Sequence, residues 1–155
     1  MPILNQALRD LAAWVEKGVP PPGSTSYRIV EGQVIVAPTA AERNGVQSVV
    51  KLKTRGGERA EVSVGQRVPF TGIIEVPTGA GSVIAAEWDF DGKGAFPASS
   101  PVPQGAKRVT VTMTHSFDKP GTYFPALRGT SHRQEDTQTP YARIRNIGRV
   151  RVVVK

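Results

Sequence analysis

From residue 46 onward, the chain consists of short runs in which apolar and polar residues alternate, and turn-forming residues separate these runs. Side chains of a strand point alternately to its two faces, so such runs predict strands with one buried side. Seven strands are predicted, over residues 49–54, 59–64, 67–76, 83–90, 107–117, 121–129 and 149–155. This number of short, evenly spaced strands predicts a mainly β fold, a sandwich of two packed sheets.

The same alternation assigns the core-facing side of three predicted strands. Residues of like parity are expected to point inward: Ile84, Ala86, Trp88 and Phe90 on one strand, Val109, Val111, Met113, His115 and Phe117 on the next, and Val150, Val152 and Val154 on the last. We therefore expect Trp88 to be buried between the sheets. Pro120-Gly121 predicts a tight turn, because proline suits its first central position and glycine its second.

Residues 1–45 follow other patterns and form a separate N-terminal segment, ahead of a sandwich domain over residues 46–155. Apolar residues at steps of four, three and four predict an amphipathic helix, namely Leu4, Leu8, Leu11 and Val15, widened by Ala7 and Trp14. Gly18 and the following prolines end it. Residues 27–38 predict a hairpin around Glu31-Gly32, and Thr39 to Glu42 has the spacing of a capping box. If no hydrolase domain is present, we expect the apolar helical face to dock on its own sandwich or to self-associate with a second copy.

Composition limits the classes of partner. The net charge of +7 indicates either a polyanionic partner or a solvated basic surface. Nucleic acid is not expected, because the lysines and arginines are spread along the chain without stacking aromatics. The absence of cysteine excludes disulfides, thiolate metal sites and a cysteine nucleophile. No run approaches the roughly 20 apolar residues of a membrane span, and the N-terminus does not have the pattern of a signal peptide.

Two groups of residues resemble the signature of the PKD domain. One strand ends in Trp88-Asp89-Phe90, and His115-Ser116-Phe117 is followed by Pro120-Gly121-Thr122-Tyr123. The resemblance covers roughly residues 47–155. It implies an immunoglobulin-like β-sandwich that serves as an accessory domain. It also implies a location that is extracellular, periplasmic or on the cell surface, often with attachment to a hydrolase.

The chain departs from the PKD pattern in three places. Residues 91–94 replace the usual Gly-Asp-Gly, and residues 131–146 are long for the last loop. Pro125 stands where the family prefers a β-branched residue, and a proline must cost a ladder pairing or create a bulge. The N-terminal segment instead resembles the C-terminal helix and exit of certain α/β-hydrolase proteins, on residues 7–15 and 18–22. In those proteins the helix covers the hydrolase sheet.

No catalytic constellation is expected. A hydrolase nucleophile of this kind needs a Gly-x-Ser-x-Gly turn, which the sequence lacks. Ser63 and Ser131 fall in a predicted strand and a predicted loop, and neither His115 nor His132 has a triad context. His115 is interpreted as a packing residue at a strand end.

Two groups of charged residues are candidate binding sites. Asp89 and Asp91, with Glu87 on the same face, are weak candidates for calcium, since calcium needs six to eight oxygen ligands. The alternative is that both aspartates bind loop amides. Arg143, Arg145, Arg149 and Arg151 have matching parity, and we expect them on the outward face of the last strand and its approach. They would form an anion-binding stripe, or charges that prevent pairing with other chains.

The sequence thus predicts a non-catalytic PKD-like accessory or interaction module without a cofactor, whose partner is a protein or a polysaccharide. Two alternatives stay open. One is a carbohydrate- or polyanion-binding module. The other is a C-terminal fragment of an α/β-hydrolase whose active site lies elsewhere.

Overall fold

The computed structural model describes residues 2–133, 139 and 142–155, and two helices and twelve strands lie in this part of the chain. The helices are α1 (Pro2–Lys17) and α2 (Ala40–Arg43). The strands are β1 (Tyr27–Val30), β2 (Gln33–Val36), β3 (Val49–Thr54), β4 (Arg59–Val62), β5 (Val68–Glu75), β6 (Ser82–Asp89), β7 (Ala98–Ser100), β8 (Arg108–His115), β9 (Gly121–Tyr123), β10 (Ala126–His132), β11 (Arg143–Arg149) and β12 (Arg151–Val154). The prediction of a mainly β chain with an N-terminal helix and hairpin is confirmed.

Two layers make up the sandwich. One layer has the strand order β3-β5-β8. The other layer consists of two sheets placed end to end, with the orders β7-β6-β10-β11 and β9-β12-β4. In the second of these, β9 lies in line with β10 and β12 lies in line with β11. All pairings are antiparallel except that of β12 with β4. This arrangement, three strands facing an extended four-stranded sheet, is that of an immunoglobulin-like sandwich.

Pro125 divides the second layer into two sheets. The pairings Val152↔Tyr123 and Ala126↔Arg149 keep one register on either side of it, so β9 and β10 continue each other, as do β12 and β11. Between them the Val150 amide still donates to the Pro125 carbonyl over 3.1 Å. Because Pro125 has no N–H, it cannot donate a hydrogen bond back to the opposite strand, and the ladder is interrupted there. The expectation that this proline costs a pairing is confirmed.

A row of stacked rings runs through the core to one end of the sandwich. Phe90 contacts both Phe70 and Trp88, with ring centroids 5.3 and 5.7 Å apart. His115 lies parallel to Phe90 at 4.3 Å, Phe117 meets His115 edge-on at 4.8 Å, and Tyr123 follows at 4.4 Å. This aromatic row joins strands of both layers, and it explains why rings flank the Pro120-Gly121 turn.

The core-facing side of β6 differs in part from its prediction. Ala86, Trp88 and Phe90 are buried as expected, but Val83 is buried and Ile84 is only half-buried. The register with β10 shifts here, because Thr130 pairs with Ala85 and the next residue pairs with Val83. Ile84 is therefore the extra residue of a β-bulge. Because of this extra residue, the odd-numbered Val83 points inward before the bulge, whereas the even-numbered Ala86 and Trp88 point inward after it.

The structure contains ten strands after residue 46 in its described part, where seven were predicted. The expectation of a loop over residues 131–146 was wrong at both ends, since β10 extends to His132 and β11 begins at Arg143. Residues 134–138, 140 and 141 of that expected loop lie outside the described residues. On its inner side β11 carries Asn146 and Gly148 in place of two apolar residues. The sequence therefore lacks the alternation of apolar and polar residues that would predict a strand here.

The N-terminal turns follow their sequence signals with one exception. Glu31 and Gly32 both adopt positive φ, as a tight hairpin turn requires. The helical turn α2 forms, but Thr39 makes no side-chain cap to the backbone. Its hydroxyl instead donates to the Glu42 carboxylate over 2.8 Å, so the expected capping box is not formed.

Arg43 clamps the N-terminal segment to the sandwich. Its buried guanidinium donates to the Ala37 carbonyl over 2.8 and 3.0 Å and to the Ser48 carbonyl over 3.3 Å. The Ser48 carbonyl also accepts a 2.7 Å bond from the Asn146 side chain of β11. Burial lowers the pKa of Arg43, and three carbonyl contacts compensate for the lost water.

Trp88 is fully buried, and its indole N–H donates to the Ser100 hydroxyl over 2.9 Å. Replacing Trp88 with alanine should lower the free energy of unfolding by about 3–5 kcal/mol, because it leaves a large cavity in the aromatic row. The other tryptophan, Trp14, is 54% exposed and provides a matched control. Trp14→Ala should change the unfolding free energy by no more than about 0.5 kcal/mol in denaturant titrations. Equal effects of the two substitutions would contradict this assignment of the core.

Candidate functional site

The three acidic residues at the end of β6 do not converge on one point. Asp89 is buried, and its carboxylate accepts hydrogen bonds from the Gly92 amide, over 3.0 Å, and from the Gly94 amide. Asp91 is exposed and lies 3.3 Å from the Lys93 ammonium. In the described part of the chain, no group of three or more His, Asp or Glu residues could hold a metal ion. The geometry of Asp89 matches the alternative in which the carboxylate binds loop amides.

Glu87 has a different partner, Arg128 on the neighbouring strand. Two bonds of 2.8 and 2.9 Å join the guanidinium to the two carboxylate oxygens. The same guanidinium lies over the Phe96 ring at 4.1 Å from its centroid. Glu87 and Arg128 thus hold the loop after β6 against the outer face of the sheet.

Two residues considered for catalysis, Ser131 and His132, are buried and hydrogen-bonded within the fold, whereas Ser63 is exposed just after β4. Ser131 is buried in β10, and its oxygen accepts a 2.8 Å bond from the Ser48 hydroxyl. His132 is also buried, with Nε2 at 2.8 Å from the Thr139 carbonyl oxygen. Consecutive residues of a strand point to opposite faces, so these two side chains do not act on one atom.

His115 lies in the aromatic row at one end of the sandwich. A cleft of about 240 Å³ opens beside it, and we call it the end cleft. It is lined by Asp91, His115, Ser116, Phe117, Asp118, Lys119 and Tyr123. Burial lowers the pKa of His115, while Asp91 and Asp118 oppose that shift.

The four candidate arginines are exposed but do not lie on a single strand. Arg143, Arg145 and Arg149 belong to β11, which was not predicted, and Arg151 begins β12. None of the four forms an ion pair with a described residue. We call them the arginine stripe. The prediction of their outward direction agrees with the structure, and their binding role stays a prediction.

Helix α1 presents its polar side to the sandwich. Asp10 contacts Arg133 at the end of β10 over 3.0 Å, in an ion pair that is largely shielded from solvent. Gln6 donates to the same carboxylate over 2.8 Å, and Ala13 is half-buried on this side. The expectation that the apolar face docks on its own sandwich is therefore wrong. Sequence reasoning missed the contact because Arg133 lies more than a hundred residues from Asp10.

The apolar side of the N-terminal segment faces outward. Along α1 the exposed side chains are Leu4, Leu8, Leu11, Trp14 and Val15, which are 51–76% exposed. The hairpin adds an exposed apolar face, since Tyr27 pairs with Val36 and Ile29 pairs with Val34 across its two strands. We call these two faces together the apolar N-terminal surface. No described helix is long and apolar enough to cross a membrane.

Comparisons with known proteins give structural likenesses only. No protein-family model matches the chain, and no curated protein matches it. It is similar to the PKD domain of an M14-like peptidase from Thermoplasmatales archaeon SCGC AB-540-F20, at 17% identity and a TM-score of 0.45, over 70% of this chain and 92% of that one.

The chain is also similar to a CARDB domain from Pyrococcus furiosus. The crystal structure of that domain, in complex with di-metal ions, has 13% identity and a TM-score of 0.43 over 70% of this chain and 94% of that one. The solution structure has 13% identity and a TM-score of 0.44 over 70% of this chain and 95% of that one. The immunoglobulin-like fold of the present chain rests on its own strand pairing, described above.

The contacts of Asp89 and Asp91 predict different effects of substitution. Asp89→Asn should lower the free energy of unfolding by about 1–3 kcal/mol, because two loop amides lose a charged acceptor. Asp91→Asn, at an exposed position two residues later, is the control and should have little effect. Millimolar calcium should leave the melting temperature of the native chain unchanged. A calcium-dependent rise that either substitution abolishes would show that these aspartates are ligands.

Proposed function

We propose that the chain is a non-catalytic accessory module of a secreted or surface protein related to a hydrolase. In this proposal the apolar N-terminal surface attaches the module to a hydrolase-type domain. The observation that carries it is the orientation of α1, whose polar side is fixed to the sandwich while its apolar side faces solvent. A monomeric protein seldom exposes large apolar faces without a partner for them.

The energy available from that surface is large for a segment of this size. Burying a leucine or valine side chain is worth about 1.5–3 kcal/mol relative to leaving it in water. Three leucines, one valine and one tryptophan of the helix remain exposed, as does the apolar hairpin face. An isolated two-stranded hairpin is marginally stable in water, so covering its apolar face would also stabilise the hairpin itself.

The Asp10–Arg133 ion pair determines where this surface points. Both side chains are mostly buried, at 25% and 16% exposure, and the pair fixes one side of the helix against the end of β10. The opposite, apolar side is thereby presented as a preformed surface. Preorganised elements lose less conformational entropy when a partner binds.

A hydrolase-type domain is the occupant that the sequence favours. Residues 7–15 and 18–22 resemble the helix and exit that cover the sheet in certain α/β-hydrolase proteins. The sandwich supplies no nucleophile turn, and its buried serine and histidine on β10 are occupied by packing contacts. The chemistry of such an assembly would therefore belong to the partner domain.

Substituting Leu8 and Leu11 together by aspartate tests the docking role. In the isolated chain the unfolding free energy should change by less than about 1 kcal/mol, because these side chains are half exposed and contact little. Binding of the apolar dye anilinonaphthalene sulfonate should fall. The control is Asp10→Asn, which should weaken the hold of the helix on the sandwich without removing the apolar side chains.

Hydrogen exchange then identifies the occupant. Amides of α1 should exchange much more slowly when an α/β-hydrolase domain is fused to the N-terminal end of the chain. Light scattering distinguishes the other occupant, since a concentration-dependent dimer that the double aspartate variant abolishes would indicate pairing with a second copy. An unprotected helix in both settings would contradict the proposal.

A second candidate function is binding of an acidic polysaccharide by the arginine stripe. The observation that favours it is that four exposed arginines have no ion pair among the described residues. A carbohydrate site of the stacking kind has less support, because the exposed rings of Trp14, Tyr27 and Phe124 belong to three separate elements.

Binding by the stripe should depend strongly on salt. Affinity for heparin should fall steeply between 0.05 and 1 M sodium chloride, because the screening length shrinks to about 3 Å at 1 M. Arg143→Gln with Arg145→Gln should weaken binding several-fold at low salt. Arg59→Gln is the control, since Arg59 is already paired with Glu61 at 2.8 Å. Salt-insensitive binding would exclude the stripe as the contact.

A further inference from the structure

In the part of the chain that the structure describes, β8 is a long sheet edge that pairs with a strand on one side only. It is the last strand of the order β3-β5-β8 and pairs with β5 from Arg108 to His115 without a register shift. In an antiparallel pair, about half of the backbone N–H and C=O groups of an outer strand point away from its partner. Those groups of β8 face outward along a straight, eight-residue edge.

The other edges of the described sheets are short or covered. β7 and β9 have three residues each, and β4 has four residues with the Arg59–Glu61 ion pair on it. The edges of β3 and β11 lie against each other, where a Cβ on Gly148 would come within 2.8 Å of the Val50 carbonyl oxygen. Natural sheets protect exposed edges by such means. β8 is longer than β4, β7 and β9, and no strand in the described part of the chain pairs with its outer side.

The side chains of β8 suit a neutral, extended partner. Those on its outer face are three exposed threonines, at positions 110, 112 and 114. Its only charged residue, Arg108, is already paired with Glu75 on β5. Threonines favour cross-strand pairing with other β-branched residues. A neutral edge also avoids the repulsion that the net charge of +7 would produce elsewhere.

The end cleft lies where β8 ends, at His115. Two carboxylates, Asp91 and Asp118, line it together with one lysine, Lys119, and the exposed Lys93 lies 3.3 Å from Asp91. Tyr123 also lines this cleft, with the buried Phe117 ring 4.4 Å from its own. Carboxylates beside ring faces are the surroundings that a lysine or arginine side chain prefers. A volume of about 240 Å³ accommodates one such side chain.

We propose that β8 is a docking edge for an extended segment of a partner protein, which adds antiparallel to the sheet and places a basic side chain in the end cleft. Backbone hydrogen bonds along β8 supply the binding energy, and the cleft selects the residue at one end. In the antiparallel direction, the N-terminal end of the incoming segment lies beside His115. The recognised sequence is thus a lysine or arginine followed by alternating β-branched residues.

The test uses a fluorescent eight-residue peptide with lysine first and alternating threonine and valine after it. We expect saturable binding to the full chain by fluorescence anisotropy, with slower hydrogen exchange confined to β8 and the end cleft. A peptide with glutamate in place of lysine should bind about tenfold more weakly. A peptide methylated on the backbone nitrogens that face β8 should not bind, because it cannot form the ladder.

Variants of the chain separate the two parts of the surface. The double substitution Asp91→Asn and Asp118→Asn should lower the affinity for the lysine peptide several-fold. The affinity for the glutamate peptide should stay the same or rise. The matched control is Glu61→Gln, which replaces an acidic residue on the distant edge strand β4. It should change neither of the two peptide affinities. Melting temperatures confirm that each variant is folded.

Three results would overturn the proposal. The first is no binding of the lysine peptide at millimolar concentration. The second is binding that backbone methylation leaves intact. The third is a free chain that is already dimeric in light scattering with its β8 amides protected, since β8 would then pair with a second copy.

Discussion

Burial of Trp88 and of the rings that continue from it is the interaction on which the sandwich depends. The aromatic row links β5 and β6 across the two layers and ends at the turn before β9. Because the rings contact one another in sequence, they fix both the spacing of the layers and the closure of one end. The end cleft forms where this row reaches the surface. The half-buried His115 and Tyr123 line it, and the buried Phe117 lies between them in the row.

The sequence predicted those features that follow from local periodicity. Each of the seven predicted strands overlaps a strand of the structure, and the burial of Trp88, the ladder break at Pro125 and the hairpin turn also agree with it, because each depends on residues close in sequence. The bulge at Ile84 was missed, since one extra residue leaves no local signal and only the register with β10 reveals it. Strand β11 was missed because Asn146 serves a hydrogen bond and Gly148 makes room for the backbone at Val50.

Candidate sites were harder to predict than strands, and the reason is physical. Parity placed Glu87, Asp89 and Asp91 on one face, but their partners came from a neighbouring strand, from loop amides and from a surface lysine. Amphipathicity identified the apolar side of α1 without indicating what that side contacts. The contact of Asp10 with Arg133 joins distant parts of the chain, and the end cleft likewise combines the loop after β6 with the turn after β8. Such combinations depend on the completed fold.

The Arg43 clamp has a consequence for where the chain can be divided. A cut at residue 45 would remove the guanidinium that binds the Ser48 carbonyl, and it would expose the Val46 side of the sandwich. Residues 37–45 are therefore structurally part of the sandwich, although the sequence pattern assigns them to the N-terminal segment. We expect a protease to cleave near residue 37 and to spare the bond after residue 45. The part of the chain that is free to serve a partner is thus shorter than its sequence boundary indicates.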